Sequence, residues 1–227
     1  GTSILSSAGG LLLFLTVPNG PHRAPTAGFT FDANAILRLF EKRNFRSAAF
    51  GYFGHMWELY TFWAFVPVMI TTYLGMGNNE SFPVSLWSFI VIGVGGLSCI
   101  VGGYVSLTKG SKYVSIASLI GSGVCCLVLP LAFTLPLAPF LIWLLLWGVF
   151  VIPDSPQFST LVAQSSDTSL VATGLTIVNC IGFALTIVSI QLISYLWIQF
   201  NSPFVFLIMV LGPATGLLSI RKYRYDA

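Results

Sequence analysis

The fold of this chain is decided by long apolar stretches, of which Val84–Leu107 is typical because its sequence, VSLWSFIVIGVGGLSCIVGGYVSL, contains no charged residue. About 20 such residues in an α-helix cross the hydrocarbon core of a bilayer. These stretches predict an all-α polytopic membrane protein in which residues 48–220 form a six-helix transmembrane bundle. The six apolar runs are Ala48–Leu74, Val84–Leu107, Tyr113–Phe133, Leu137–Ala163, Leu170–Phe200 and Pro203–Ile220.

The composition excludes most soluble classes of protein. Of the 227 residues, 56% are hydrophobic and only 7% are charged, whereas a soluble domain carries about 25% charged residues. We therefore exclude a soluble enzyme, a disordered protein and a nucleic-acid-binding module, and we expect no nucleic-acid partner. The runs also lack the alternation of a membrane β-barrel. The four cysteines lie inside apolar runs without metal-ligand spacing, so we interpret them as packing or lipid-facing residues and predict no disulfide, metal or other cofactor.

The basic residues predict the orientation of the bundle. All ten fall in three segments, namely the loop before the first run, the connection after the second run and the chain end. With six spans these segments share one side, and the loops on the other side carry no Lys or Arg. By the positive-inside rule the basic side is cytoplasmic, which predicts a multi-pass protein of the plasma (inner) membrane. The ten are Arg23, Arg38, Lys42, Arg43, Arg46, Lys109, Lys112, Arg221, Lys222 and Arg224.

The segments outside the bundle are interpreted from the same pattern. Residues 1–17 are apolar without a preceding basic region, and we expect them to be the end of a truncated transmembrane helix. Residues 18–47 are expected to form a cytoplasmic central loop, and residues 221–227 a cytoplasmic tail. Within the loop, Phe31–Arg43 predicts a short amphipathic helix with Asp32 as its N-cap, either a linker lying on the membrane or a regulatory lid. Its apolar face is expected to consist of Ile36, Leu37 and Phe40.

Three strongly polar, titratable side chains lie inside the runs, at His55, Glu58 and Asp154. An ionisable group in hydrocarbon costs roughly 2.5–3.5 kcal/mol or more and normally faces a bundle interior or a water-filled cavity. His55 and Glu58 are three residues apart and share one helix face. Because a low dielectric favours the protonated form of a carboxyl group, we predict that Glu58, tuned by His55, exchanges a proton or binds substrate. The alternative is an interhelical hydrogen bond that stabilises the bundle.

The fourth run contains a predicted helix break. Pro153 and Pro156 interrupt helical hydrogen bonding, and irregular backbone at membrane depth is tolerated only against protein or water. Asp154 and Gln157 then share a face and could form a cation site, a proton site or a gate, or Asp154 could simply cap the restarted helix. In the fifth run, Asn179 belongs to a polar stripe that serves either the substrate site or packing between helices.

The connection after the second run carries Gly103 and Gly110, with Leu107 and Thr108 between them and Lys112 two residues after Gly110. It resembles a degenerate copy of the loop motif Gly-x-x-x-Asp-Arg-x-Gly-Arg/Lys of the major facilitator superfamily. The two glycines are retained, Leu107 and Thr108 stand where Asp and Arg belong, and Lys112 lies one residue beyond the final basic position. The resemblance implies a twelve-helix fold in which residues 1–17 end the sixth helix, the six runs form the second half, and an N-terminal half is missing. Further stretches that resemble bacterial permeases of the nitrate/cyanate-like branch are Gly54–Tyr60 and Asp154–Ser159.

The resemblance implies a secondary active transporter rather than an enzyme. Such a protein moves a small solute by alternating access past a site near the midplane between two bundles, and here it would be proton-coupled. Its partners would be the solute, protons, the lipid bilayer and the N-terminal half. The solute itself is not implied, because no run contains the Arg expected of a nitrate carrier. The alternatives are an integral membrane enzyme and a non-transporting membrane sensor or assembly subunit.

The predicted topology is testable by thiol labelling. Single cysteines introduced at Asn79 and Ser111 in a cysteine-free background should react with an impermeant reagent from opposite sides of the membrane, because these loops are separated by one span. Equal labelling of both positions in intact cells would show that the topology is wrong.

Overall fold

This computed structural model describes residues 2–17, 33–76 and 82–224, and every element of secondary structure within them is a helix. The sequence divides into two compact units, Gly1–Ala33 and Asn34–Ala227, which are described separately. Two 3₁₀ segments, Thr168–Leu170 and Pro203–Val210, precede the last two α-helices. The α-helices are α1 (Thr2–Thr16), α2 (Ala33–Glu41), α3 (Arg43–Gly75), α4 (Val84–Lys109), α5 (Ser111–Ala132), α6 (Leu137–Phe150), α7 (Asp154–Ser165), α8 (Val171–Phe200) and α9 (Leu211–Ile220).

Among the described residues, five helical segments are long and apolar enough to cross a membrane, which fits a multi-pass membrane protein. All the secondary-structure elements described are helices, which confirms the all-α class. The predicted first run corresponds to α3. At 1.5 Å per residue this helix is about 50 Å long, which is enough to cross a bilayer. It is nevertheless not among the five apolar segments. Helix α3 carries His55 and Glu58, and much of its surface is buried against other helices, so it does not need an apolar exterior. In the first unit, α1 is an apolar helix shorter than a span. The five segments are Val84–Lys109, Ser111–Ala132, Leu137–Ser165, Thr168–Phe200 and Pro203–Ile220.

The predicted amphipathic helix corresponds to α2, but a different residue anchors it. Leu39 is only 1% exposed, and a methyl group added to Gly174 of α8 would lie 3.5 Å from it. Leu37 is exposed and Phe40 is half-buried, with its ring 5.1 Å from that of Phe45. The contact of α2 with the bundle is therefore made by Leu39, whereas the predicted apolar face of Ile36, Leu37 and Phe40 stays a prediction. The predicted N-cap Asp32, the side chain of Ile36 and most of the predicted central loop lie outside the described residues.

In chain order, the long helices of the second unit form two sets of three: α3, α4 and α5, followed by the α6–α7 segment, α8 and α9. The contacts of the two sets match, because α3 packs against α8 and α9 of the second set and the α6–α7 segment packs against α4 and α5 of the first. Contacts of α3 with α7, and of α5 with α9, also join the two sets. Three helices reverse the direction of the chain across a bilayer, so two successive sets of three spans have opposite orientations, as in an inverted repeat.

Glycine allows α3 and α9 to cross closely. A methyl group on Gly54 would overlap the carbonyl oxygen of Gly212 and would lie 2.7 Å from the backbone nitrogen of Gly216. Close backbone approach through small residues is a common mode of helix association in membranes, where dispersion contacts replace the hydrophobic effect. The central helix is therefore fixed against the last helix of the chain by three glycines.

The predicted break in the fourth run is confirmed. Helix α6 ends at Phe150, α7 begins at Asp154, and Pro153 lies between them in the N-cap position of α7. The break is protected by α4, because a methyl group on Gly102 would lie 3.0 Å from the Pro153 side chain. Irregular backbone at this point is thus covered by protein, as its place in an apolar segment requires.

The close crossing predicts the effect of one methyl group. Gly54→Ala should lower the free energy of unfolding by about 1–3 kcal/mol, because the added group overlaps backbone that has no flexible end to move. Gly96→Ala on α4 is the matched control, since a methyl group there meets nothing within 4 Å. Thermal unfolding in one detergent measures both variants, and equal midpoints would contradict the assigned α3–α9 contact.

Candidate functional site

Glu58 lies at the centre of a hydrogen-bonded cluster that joins three helices. Its side chain is 1% exposed on α3. The Trp147 indole N–H of α6 donates to Oε1 over 2.8 Å, and the Ser122 hydroxyl of α5 donates to Oε2 over 2.9 Å. The Cys126 thiol, one turn after Ser122, lies 3.3 Å from Oε1 and donates a weaker bond. Both carboxyl oxygens are therefore satisfied by donors from α5 and α6.

The hydrogen bonds around Glu58 are compatible with both protonation states. Three donors suit the carboxylate, and hydrogen bonds to a charged acceptor are stronger than neutral ones. In the protonated acid, an O–H at Oε2 can donate to the Ser122 oxygen, whose own hydrogen can turn to the carbonyl of Leu119 at 3.5 Å. Since the sequence places no Lys or Arg in any apolar run, no permanent cation fixes the charge of Glu58.

A second buried polar pair connects α3 to the helix break. His55 Nδ1 lies 3.0 Å from Asp154 Oδ1, and the two side chains are 1% and 2% exposed. The atoms are within ion-pair distance, although Oδ1 accepts no well-aligned hydrogen bond, and His55 Nε2 has no hydrogen-bond partner. Asp154 does not cap α7, because Pro153 occupies the N-cap position without a side-chain cap. The capping interpretation is therefore wrong, and Asp154 faces α3 instead.

The two remaining predicted site residues, Gln157 and Asn179, lie on α7 and α8. Gln157 is buried on α7, one turn after Asp154. Asn179 of α8 is half-buried and donates no hydrogen bond to Glu58. His55 and Glu58 thus lie on one side of α3, and Asp154 at the start of α7 faces that side. Gln157 lies one turn after Asp154 on α7. Within the described part of the chain, no three His, Cys, Asp or Glu side chains gather as metal ligands would.

Two of the three residues of the degenerate loop motif, Gly110 and Lys112, have structural roles. Gly110 ends α4 with a φ of 81°, in the left-handed region that favours glycine, and it allows the tight turn into α5. Lys112 donates to the carbonyl oxygen of Tyr223 over 2.6 Å and ties this turn to the chain end. Gly103 is half-buried on α4, and a methyl group there would meet nothing within 4 Å. The motif therefore holds a turn in place here.

The three basic segments meet at one end of the bundle. Besides the Lys112–Tyr223 contact, Lys42 forms an ion pair of 2.6 Å with Asp167, and Asn44 bonds the backbone of Arg224. The start of α3, the α7–α8 connection, the α4–α5 turn and the residues after α9 are thus neighbours, as the predicted span parity requires. The cytoplasmic location of this end stays a prediction.

The partners of Glu58 were not predicted from the sequence. Cys126 was interpreted as a packing or lipid-facing residue, but its thiol is buried against Glu58. The available signal was the spacing of Ser122 and Cys126, which places two donors on one face of α5, together with Trp147 in the middle of an apolar run. Spacing identifies a face, whereas only helix packing identifies what that face contacts.

The hydrogen bonds of Glu58 predict that one substitution preserves the stability of the bundle and that another lowers it. Glu58→Gln should retain nearly wild-type stability, because its amide can accept from Trp147 and donate to Ser122 as the protonated acid does. Glu58→Leu should lower the free energy of unfolding by several kcal/mol, since a buried donor without a partner costs about 1–3 kcal/mol. Thermal unfolding in detergent distinguishes them, and equal stability of the two variants would show that these hydrogen bonds do not stabilise the bundle.

Comparison with known proteins identifies no family for this chain. No family model matches it, and no curated protein and no solved structure shows significant similarity to it. The resemblance to the major facilitator superfamily therefore depends on the motifs and the topology described above, and it enters the functional argument as a proposal.

Proposed function

We propose that this chain forms one helical bundle of a secondary active transporter of the major facilitator type, which moves a small solute by alternating access and is coupled to protons. The observation that carries the proposal is the buried carboxyl group of Glu58, held by donors from two other helices without a permanent cation. An ionisable group at membrane depth generally marks an ion, proton or substrate pathway.

The arrangement of the helices supports the same proposal. Two sets of three helices with matching contacts are the pattern of the nested repeats in this type of transporter. The solute site would lie between this bundle and a second one, near the midplane. The protein would reside in the plasma (inner) membrane with the basic end of the bundle in the cytoplasm.

Protonation of Glu58 would couple to helix packing through its three donors. Loss of the negative charge weakens the bonds from Trp147 and Ser122, because charge-assisted hydrogen bonds are roughly twice as strong as neutral ones. Helix α6 would then be held less firmly against α3. The His55–Asp154 pair contacts the same segment beyond the break. The hydrogen bond from Trp147 of α6 to Glu58 and this pair at α7 would therefore together control how the segment is held against α3.

An integral membrane enzyme is the weaker proposal. The structure does place a hydroxyl and a thiol, Ser122 and Cys126, beside the carboxyl group of Glu58, as nucleophilic catalysis would require. All three side chains are at most 1% exposed, however, so a substrate has no access to them. A proton needs only a transient chain of water, and this difference favours proton exchange over catalysis.

The proposal predicts a specific defect in Glu58→Gln. In proteoliposomes of the whole transporter, this variant should lose accumulation driven by a pH gradient but retain solute exchange, because the amide mimics the protonated acid and cannot release a proton. Infrared difference spectra between acid and alkaline pH should lose the carbonyl band of one protonated carboxylic acid. This second measurement requires no knowledge of the solute.

Thr61→Val is the matched control for that experiment. Thr61 lies one turn after Glu58 and shares a buried hydrogen bond of 2.7 Å with Ser189 of α8, but it cannot titrate. Its substitution removes an interhelical bond and should leave coupling intact. Asp154→Asn should resemble Glu58→Gln if the proton is shared between the two sites. Unchanged gradient-driven accumulation and an unchanged infrared band in Glu58→Gln would show that Glu58 has only a structural role and does not couple protons to transport.

A further inference from the structure

A polar cavity of about 650 Å³ opens at the basic end of the bundle. It lies between the start of α3, the end of α7 and the residues that follow α9. Its wall includes three cationic side chains, Lys42, Arg43 and Arg224, together with the amide side chains of Asn44 and Gln164. Among the described residues that line it, three are cationic and none is a carboxylate, so this part of the wall is electropositive.

The cations of this cavity are positioned by specific contacts. The Asn44 amide donates to the carbonyl oxygen of Arg224 over 2.7 Å and accepts from its backbone N–H over 3.0 Å, which fixes the chain end beside α3. Asp167, next to the cavity, holds the ammonium group of Lys42 at 2.6 Å. Arg43 is the first residue of α3, and both arginine side chains are exposed. The cavity is thus lined by two exposed arginines, and the chain end that carries one of them is anchored to α3.

The start of α3 adds to the positive potential. Lys42 is the N-cap residue, with no side-chain cap and no acidic residue in the first turn of the helix. The first backbone N–H groups of a helix lack intrahelical acceptors and carry a partial positive charge, which favours an anion. This contribution supplements the three side-chain cations.

We propose that this cavity binds a phosphate-bearing anion. Guanidinium groups bind phosphate oxygens in a bidentate manner, and a lysine adds a point charge. The ligand has two possible sources, which share this chemistry: an anionic phospholipid headgroup at the membrane surface or a soluble phosphate compound. The cavity is separate from the buried site, since neither Glu58 nor His55 lines it.

Binding is tested with the purified protein in detergent. Short-chain phosphatidylglycerol, short-chain phosphatidylcholine and inorganic phosphate are titrated separately, and intact complexes are measured by mass spectrometry. We expect phosphatidylglycerol to bind in preference to phosphatidylcholine if the source is a lipid headgroup. Binding of inorganic phosphate, with displacement of the lipid, would instead assign the site to a soluble phosphate. Either result supports the proposal.

Charge variants show whether binding occurs in the cavity. The double variant Arg43→Gln/Arg224→Gln should lower the affinity by about tenfold or more, because it removes both charge-assisted contacts. The matched control Lys109→Gln/Lys222→Gln removes the same charge outside the cavity wall and should bind normally. Asp167→Asn should bind more tightly, since it releases Lys42 from its carboxylate. Absence of binding, equal losses in both double variants, or no gain in Asp167→Asn would overturn the proposal.

Discussion

The hydrogen bonds accepted by the carboxyl group of Glu58 are the interaction on which the described bundle depends. They connect the central helix α3 to α5 and to α6, which belong to different sets of three helices. Burying a charged group in a membrane protein costs several kcal/mol, and each bond to it restores about 1.5–3 kcal/mol. The carboxyl group is therefore tolerated only where all three donors converge, and this requirement fixes the relative positions of three helices.

The rest of the interior is arranged around the same helix. On one side, glycines bring α9 into backbone contact with α3, and on another side His55 reaches Asp154 at the start of α7. The break before α7 lets the second half of this segment meet α3 independently of the first half. Glu58 and His55 thus contact two parts of one broken helix, Trp147 of α6 and Asp154 of α7.

The basic end of the bundle is held together by other interactions than the interior. It is open to water, so its ion pair between Lys42 and Asp167 contributes little to stability. The contacts of Asn44 and Lys112 with the backbone near the chain end instead give this surface a defined shape. Within the described residues, Lys42, Lys112 and Arg224 are thus gathered at this end of the bundle, away from the buried carboxyl group of Glu58.

Sequence alone determined the helical class, the positions of the helices and the break at Pro153, because apolar length and proline act locally. It also determined that His55, Glu58 and Asp154 face an interior, since the cost of exposing them to lipid does not depend on the fold. Only the tertiary structure decided that Glu58 contacts Ser122, Cys126 and Trp147, that Asp154 pairs with His55 rather than capping α7, and that Leu39 anchors α2. These contacts join residues far apart in the chain, and helix periodicity gives the face of each residue but not the partner that packs against it.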